Sequence, residues 1–198
     1  LGDTRELRLL LDEEFSWMDR AAADRLVSKA KRAGFNAIVP CVWHGRGVTW
    51  RSSLPREPRW SDNPRGLIDP LAYLIKKAHA EGIEVHPWFT LVKRQRDFYP
   101  EFAGPGVPDD AFDVHDRQFQ RMIRDVVIEV VEKYPVDGIN LDYVRSRGIC
   151  VSDKCIADYR AKTGRNLAVD SLSYKLLPEA KTAIENWNRS AVEELLRS

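Results

Sequence analysis

Two stretches of the chain, SKAKRAGFNAIVP at residues 28–40 and KKAHAEGIEVHPW at 76–88, repeat one pattern: a basic helix end, a glycine, and an extended run rich in Val, Ile and aromatic residues. Each is a helix handing over to a strand. The segment Arg20 to Ala33 places Leu26, Val27 and Ala30 on one helical face, and Gly34 stands where a left-handed terminator is wanted before an extended segment Phe35 to Trp43. Asp69 and Pro70 have the character of a helix cap and first turn, and Gly82 ends that helix ahead of Ile83 to Thr90. A third helix is predicted over Asp116 to Tyr134, with the apolar stripe Phe119, Ile123, Val126, Val127, Val130 and Val131. Pro135 stops it, and Gly138 to Val144 follows as a strand. Leu7 to Leu11 has the apolar run of a buried first strand.

Four strands joined by helices imply a parallel sheet, because each crossover must carry the chain back to the same end before the next strand can pair. The expected fold is α/β, a parallel (β/α) barrel of the TIM type, with about four of its strands in a single domain over residues 1–198 that is incomplete at its C-terminus. Its open edges are then expected to self-associate or to pair with the missing part of the barrel. Helix-to-strand connections are short. The segments after the second and third strands are long and rich in Trp, Pro, Arg and Gly, so the carboxyl ends of the strands are the elaborated side, where parallel α/β folds build their sites.

Charge narrows the partners. With 31 Lys and Arg against 30 Asp and Glu, the net charge of +1 offers no field to attract a polyanion or an anionic membrane, so neither nucleic acid nor membrane is an expected partner. Nothing in the composition calls for a cofactor or a metal. Cys41 lies in an apolar run and reads as a buried thiol. Cys150 and Cys155 form a C-x-x-x-x-C pair that fits either a small disulfide or two thiols, with zinc a weaker third reading.

Within Gly138 to Val144, alternation puts Asn140 and Asp142 on one side and Ile139, Leu141 and Tyr143 on the other. A buried strand carries a carboxylate only where it is paired or reaches the wet end, and Asp142 is near the carboxyl end. Asp137, at the opposite end, reads as a turn or cap residue. On the third strand His86 and Trp88 share a face. Trp43, His44 and Arg46 stand at the exit of the second strand. Indoles that stack on C–H faces, beside donors for hydroxyls, suit a polyhydroxylated ring, and Trp50 and Trp60 either add to that surface or pin a long loop.

The segments DPLAYLIKKAHAEGIEVHPWF, EKYPVDGINLDYVR and WNRSAVEELL resemble glycosyl hydrolase-like family 10 and its relatives, bacterial (β/α)-barrel proteins that are often exported. The likeness runs in order and spacing from Phe35 to the end, and DGINLDYVR is its most specific part. It implies a glycosidase acting on a cell-wall or extracellular polysaccharide, in a secreted or periplasmic setting, with an oligosaccharide or polysaccharide as partner. It also implies that Asp142 is the catalytic carboxylate. The Asn-x-Asp spacing further resembles the Arg-x-Asp of the α-amylase clan, and HGRG is similar to an R-x-x-G turn that makes Arg46 a substrate contact.

Glycoside cleavage normally needs two carboxyl groups, and Asp12 at the end of the first strand is the expected second. His86, Trp88, Trp43, His44, Arg46, Asn140, Tyr143 and Arg145 are the expected substrate contacts. Two rivals remain, a non-catalytic glycan-binding barrel and a metal-assisted lyase or aldolase with Asp142, His86 and Asp12 as ligands.

Overall fold

The computed structural model describes residues 6–53, 69–95 and 98–197. The elements in order are β1 (Leu9–Asp12), α1 (Arg20–Arg32), β2 (Ala37–Trp43), α2 (Pro70–Ala80), β3 (Glu84–Val85), β4 (Trp88–Thr90), α3 (Arg117–Lys133), β5 (Asn140–Asp142), α4 (Asp153–Thr163), α5 (Leu167–Ser173) and α6 (Pro178–Arg197). A 3-10 turn at Pro100–Phe102 precedes α3. Read from sequence as one domain, the chain divides into two compact units. The first comprises Leu1–Thr90 and Val127–Asp142, and the second Leu91–Val126 and Tyr143–Ser198.

The first unit holds the whole sheet. Every pairing is parallel, in the order β1-β2-β4-β5, with β3 also on β2. β3 and β4 fill one strand position, interrupted at Pro87, which has no amide to give the ladder. This is the parallel sheet with crossover helices that the repeated pattern predicts. The helix ends at Asp69, Gly34 and Gly82 are where the sequence puts them. Asp19 accepts from the Ala22 amide ahead of α1, Asp69 accepts from the Ala72 amide ahead of α2, and Gly34 and Gly82 take positive φ after these helices.

The two faces of the sheet differ. Ile38 and Phe89 are wholly buried, each stabilising the fold by roughly 2 kcal/mol. Phe89 meets the Trp50 ring edge-on, and the Trp50 indole donates to Glu129 on α3 at 2.8 Å, so this face lies under helix. Glu129 also accepts from the Ser52 and Ser53 hydroxyls. Burial pushes the Glu129 carboxyl up, but the donors on Ser53, Ser52 and Trp50 together outweigh it and hold it below its ordinary value. Trp50 therefore pins the loop after β2. Trp60, its sequence companion, lies outside the described residues.

The opposite face carries Val39, Cys41 and Trp88, packed with Phe15. On β1 the same face exposes Leu9 and Leu11, at 40% and 53%. Below this cluster His86 lies against Gly138. A Cβ at Gly138 would sit 2.6 Å from His86 Nδ1, while His86 Nε2 pairs with Glu84 at 3.0 Å. Asp137 takes the turn role read from sequence, accepting from the Val85 amide and pairing with His79, both at 2.8 Å. β5 is shorter than the expected Gly138 to Val144, because this turn precedes it and Tyr143 leaves the extended region with φ +52°.

The second unit has its own core of Cys150, Cys155, Tyr159, Leu167, Ile184 and Trp187. Cys150 and Cys155 are joined in a disulfide, and closing so short a loop stabilises by about 2 kcal/mol. The Ser152 side chain caps α4, accepting from the Cys155 amide, and Gly164 ends it in the left-handed region. α5 has no counterpart in the sequence reading. Its Val169 and Leu172 are exposed, so no apolar periodicity announces it. His115 stacks on Trp187 with ring centroids 3.6 Å apart, and its Nε2 donates to Asn188 Oδ1. Nδ1 has no hydrogen-bond partner among the described residues. Burial drives its pKa down to about 4.

Two outcomes follow. Gly138→Ala is expected to destabilise by about 1–3 kcal/mol through overpacking, and to cost less in a His86→Ala background, which equilibrium denaturation of the four variants measures. Equal costs in both backgrounds would contradict the close approach. For His115, the unfolded chain takes up a proton near pH 6.5 that the folded chain refuses until about pH 4. Stability is then lost as pH falls through that window, by about 3 kcal/mol in total, and is flat below it. His115→Phe should flatten the profile in denaturant titrations, and an unchanged slope would contradict this account.

Candidate active site

The register of the sheet sets the row at its carboxyl end. Trp88 is level with Asn140, Phe89 with Leu141 and Thr90 with Asp142. Because in-register neighbours of a parallel sheet point the same way, Asp142, Asn140, Thr90 and Trp88 share the face opposite Phe89. Asp142 is partly exposed. Thr90 beside it is fully buried, and its hydroxyl donates to the Trp43 carbonyl at 2.9 Å, fixing β4 to β2. The pairing shifts between Cys41 and Trp43, so Trp43 comes level with Phe89 and His44 follows at the level of Thr90. Trp43 is wholly buried.

Asp12 has a different role from the one expected of it. It pairs with Pro40, which puts it on the face opposite Cys41, Trp88 and Asp142. Oδ1 accepts from the Glu14 amide at 2.9 Å, and Oδ2 from the amide and hydroxyl of Ser16 at 3.0 and 2.6 Å. Both oxygens are thus engaged in a turn within a residue only 6% exposed. The turn holds Phe15 at φ +55°, a conformation that costs a non-glycine residue of order 1–3 kcal/mol and persists only where its surroundings fix it.

Phe15 in turn packs on Val39, Cys41 and Trp88, meets the His44 ring edge-on, and lies under the Arg46 guanidinium at 5.6 Å. His44 Nε2 pairs with Glu13 at 2.7 Å. Phe15 has no part in the sequence reading, and Glu13, by its sequence a solvated loop charge, pairs with His44. Their only signal is position, in the loop that leaves the first strand.

Trp88 is 7% exposed, and its indole N–H has no hydrogen-bond partner among the described residues. His86 shares its face but sits level with Val39 and Gly138. Four residues separate the His86 row from that of Asp142, about 13 Å along the strand. With Asp12 on the other face as well, the Asp142, His86 and Asp12 ligand set of the metal-assisted reading is not assembled. Tyr143 and Arg145 fall in the second unit. There the Tyr143 ring is faced by Arg145, Lys93 and Arg147 at 5.0, 5.1 and 5.1 Å.

Residues 5–101 match the family model described as Glycosyl hydrolase-like 10. The glycosyl hydrolase DigH of Escherichia coli K12 and that of Shigella flexneri are each 27% identical to this chain over 175 residues. Each alignment covers 68% of this chain, which spans 37% of the length of these relatives. Among solved structures, a hypothetical protein from Ruminiclostridium thermocellum has a TM-score of 0.53 at 17% identity, covering 86% of this chain and 93% of its own. An α-L-fucosidase from Bacteroides thetaiotaomicron has a TM-score of 0.51 at 19% identity, covering 79% of this chain and 32% of its own. These likenesses establish a parallel barrel-type fold. In sequence, residues 5–101 resemble the glycosyl hydrolase-like 10 family.

Proposed function

We propose that this chain supplies the first four strand positions of a glycoside hydrolase that acts on a cell-wall or extracellular polysaccharide, with Asp142 as nucleophile or general acid/base. The observation that carries the reading is the placement of Asp142. It is partly exposed at the carboxyl end of β5, in the row of Thr90 and on the face of Trp88. The surroundings suit a sugar. Asn140 offers polar contacts to hydroxyls, and Phe15, His44 and Arg46 form an aromatic and cationic rim above β2. The match to the glycosyl hydrolase-like 10 model supports the same reading.

Of the two carboxyl groups that glycoside cleavage uses, these strands offer Asp142, and we place the other outside the four described strand positions. Asp12 acts as a positioning residue, through the turn that sets Phe15 and Glu13. One observation favours a second reading, a barrel that binds glycan without cleaving it: no second carboxylate stands in the row of Asp142 among the described strand residues. A glycan array scored for both retention and new reducing ends separates the two.

Asp142→Asn in the full-length protein is expected to lower turnover on a glycan panel by about 10²–10⁴-fold with the fold intact by circular dichroism. Unchanged turnover would remove Asp142 from the mechanism. Asp12→Asn is expected to lower stability while leaving measurable turnover. A loss as deep as that of Asp142→Asn, in a protein of unaltered stability, would restore Asp12 as the second carboxylate.

A further inference from the structure

The second unit carries a buried carboxylate, Asp113, with no salt-bridge partner among the described residues. Asp113 is 5% exposed, and its Oδ1 accepts from the His115 amide at 2.9 Å. Both carboxylate oxygens also lie 3.5 Å from the Cys155 sulfur, which in a disulfide has no proton to give. The nearest cation that could answer it, Lys154, is committed to Asp116 at 2.7 Å. Burial accordingly raises the Asp113 pKa. A buried carboxylate facing sulfur in this way is costly for the oxidised protein and well suited to what the reduced protein would offer.

We propose that, once the disulfide is reduced, Cys150, Cys155 and Asp113 form a site for a thiophilic divalent cation of the zinc class, and that the disulfide keeps the ion out. The ligand atoms of the three residues already lie within 4.8 Å of one another, and all three residues are buried. Zinc holds sulfur at about 2.3 Å and carboxylate oxygen at about 2.0 Å in a tetrahedron, which makes the sulfur-to-oxygen edge about 3.5 Å. The Asp113 to Cys155 separation has that value.

The sulfur-to-sulfur edge of the same tetrahedron is about 3.8 Å, within reach of two side chains whose Cα atoms are 5.9 Å apart. Cys155 stands in the first turn of α4, where the helix N-terminus favours a thiolate. Asp113 also lines a cavity of about 560 Å³ bounded by Gly104, Gly106, Ser152 and Lys154.

The chemistry balances with an external dithiol or phosphine. The reductant gives two electrons and is oxidised, the sulfur–sulfur bond breaks, and two protons complete the thiols. Binding the cation then releases those two protons as the thiolates ligate.

The test is titration of the purified protein with Co(II) and Zn(II), with and without prior treatment by a non-chelating phosphine. The reduced protein is expected to bind one ion per chain, to show the thiolate-to-Co(II) absorption of a tetrahedral site, and to regain on Zn(II) addition the thermal stability lost on reduction. The oxidised protein, folded and otherwise identical, is expected to bind none. Asp113→Asn, checked for folding in its oxidised form, should weaken Co(II) binding tenfold or more. Absence of the thiolate band in the reduced protein would overturn the proposal, as would equal uptake by the oxidised protein or an Asp113→Asn variant that binds as tightly as the parent.

Discussion

The parallel pairing of β4 with β5 is the constraint on which the functional geometry rests. It sets Thr90 level with Asp142 and Trp88 level with Asn140, and so decides which face of the sheet each side chain meets. A slip of one residue would turn Asp142 toward the helix side with Phe89 and Leu141, where a carboxylate has no water and no partner. Several contacts hold the register. The Thr90 hydroxyl ties β4 to the Trp43 carbonyl, the Asn140 amide bonds to the Pro87 carbonyl, and Asp137 ties the approach to β5 to Val85. At the bottom of the same pair, Gly138 leaves the space that the His86 ring occupies.

Around that row, the site is built by loops whose conformations the strands do not dictate. Asp12 spends both oxygens on the turn that follows β1, and the turn presents Phe15 to the Val39, Cys41 and Trp88 cluster and Glu13 to His44. The shift between Cys41 and Trp43 brings His44 to the level of Thr90. The loop after β2 starts from this shift and is tied down by Trp50 on Glu129. Asp12 thus closes the turn after β1, whereas Asp142 is partly exposed at the carboxyl end of β5.

The helices, their caps and the parallel sheet were legible in the sequence because each has a local cause: Asp69 before Pro70, Gly34 and Gly82 after basic helix ends, and alternation through Gly138 to Val144. The face of Asp142 followed from the same alternation. What stayed hidden depends on register and on turns. Nothing local says that Asp12 pairs with Pro40 and so faces away from Asp142, or that four residues of strand separate the level of His86 from that of Asp142. Phe15 and Glu13 carry no motif, and their roles arise from a turn that Asp12 closes. The C-x-x-x-x-C spacing left bridge and free thiols equally open, and the disulfide became visible only with Ser152 capping α4 between the two cysteines.

The central claim is that Asp142 meets substrate on the face it shares with Trp88. A crystal structure of the full-length Asp142→Asn protein with a bound oligosaccharide measures this directly. The account predicts a glycosidic oxygen or anomeric carbon within about 3–3.5 Å of the residue 142 side chain, with sugar hydroxyls near Trp88 and Asn140. An oligosaccharide bound elsewhere, with the residue 142 side chain touching no part of it, would contradict the account.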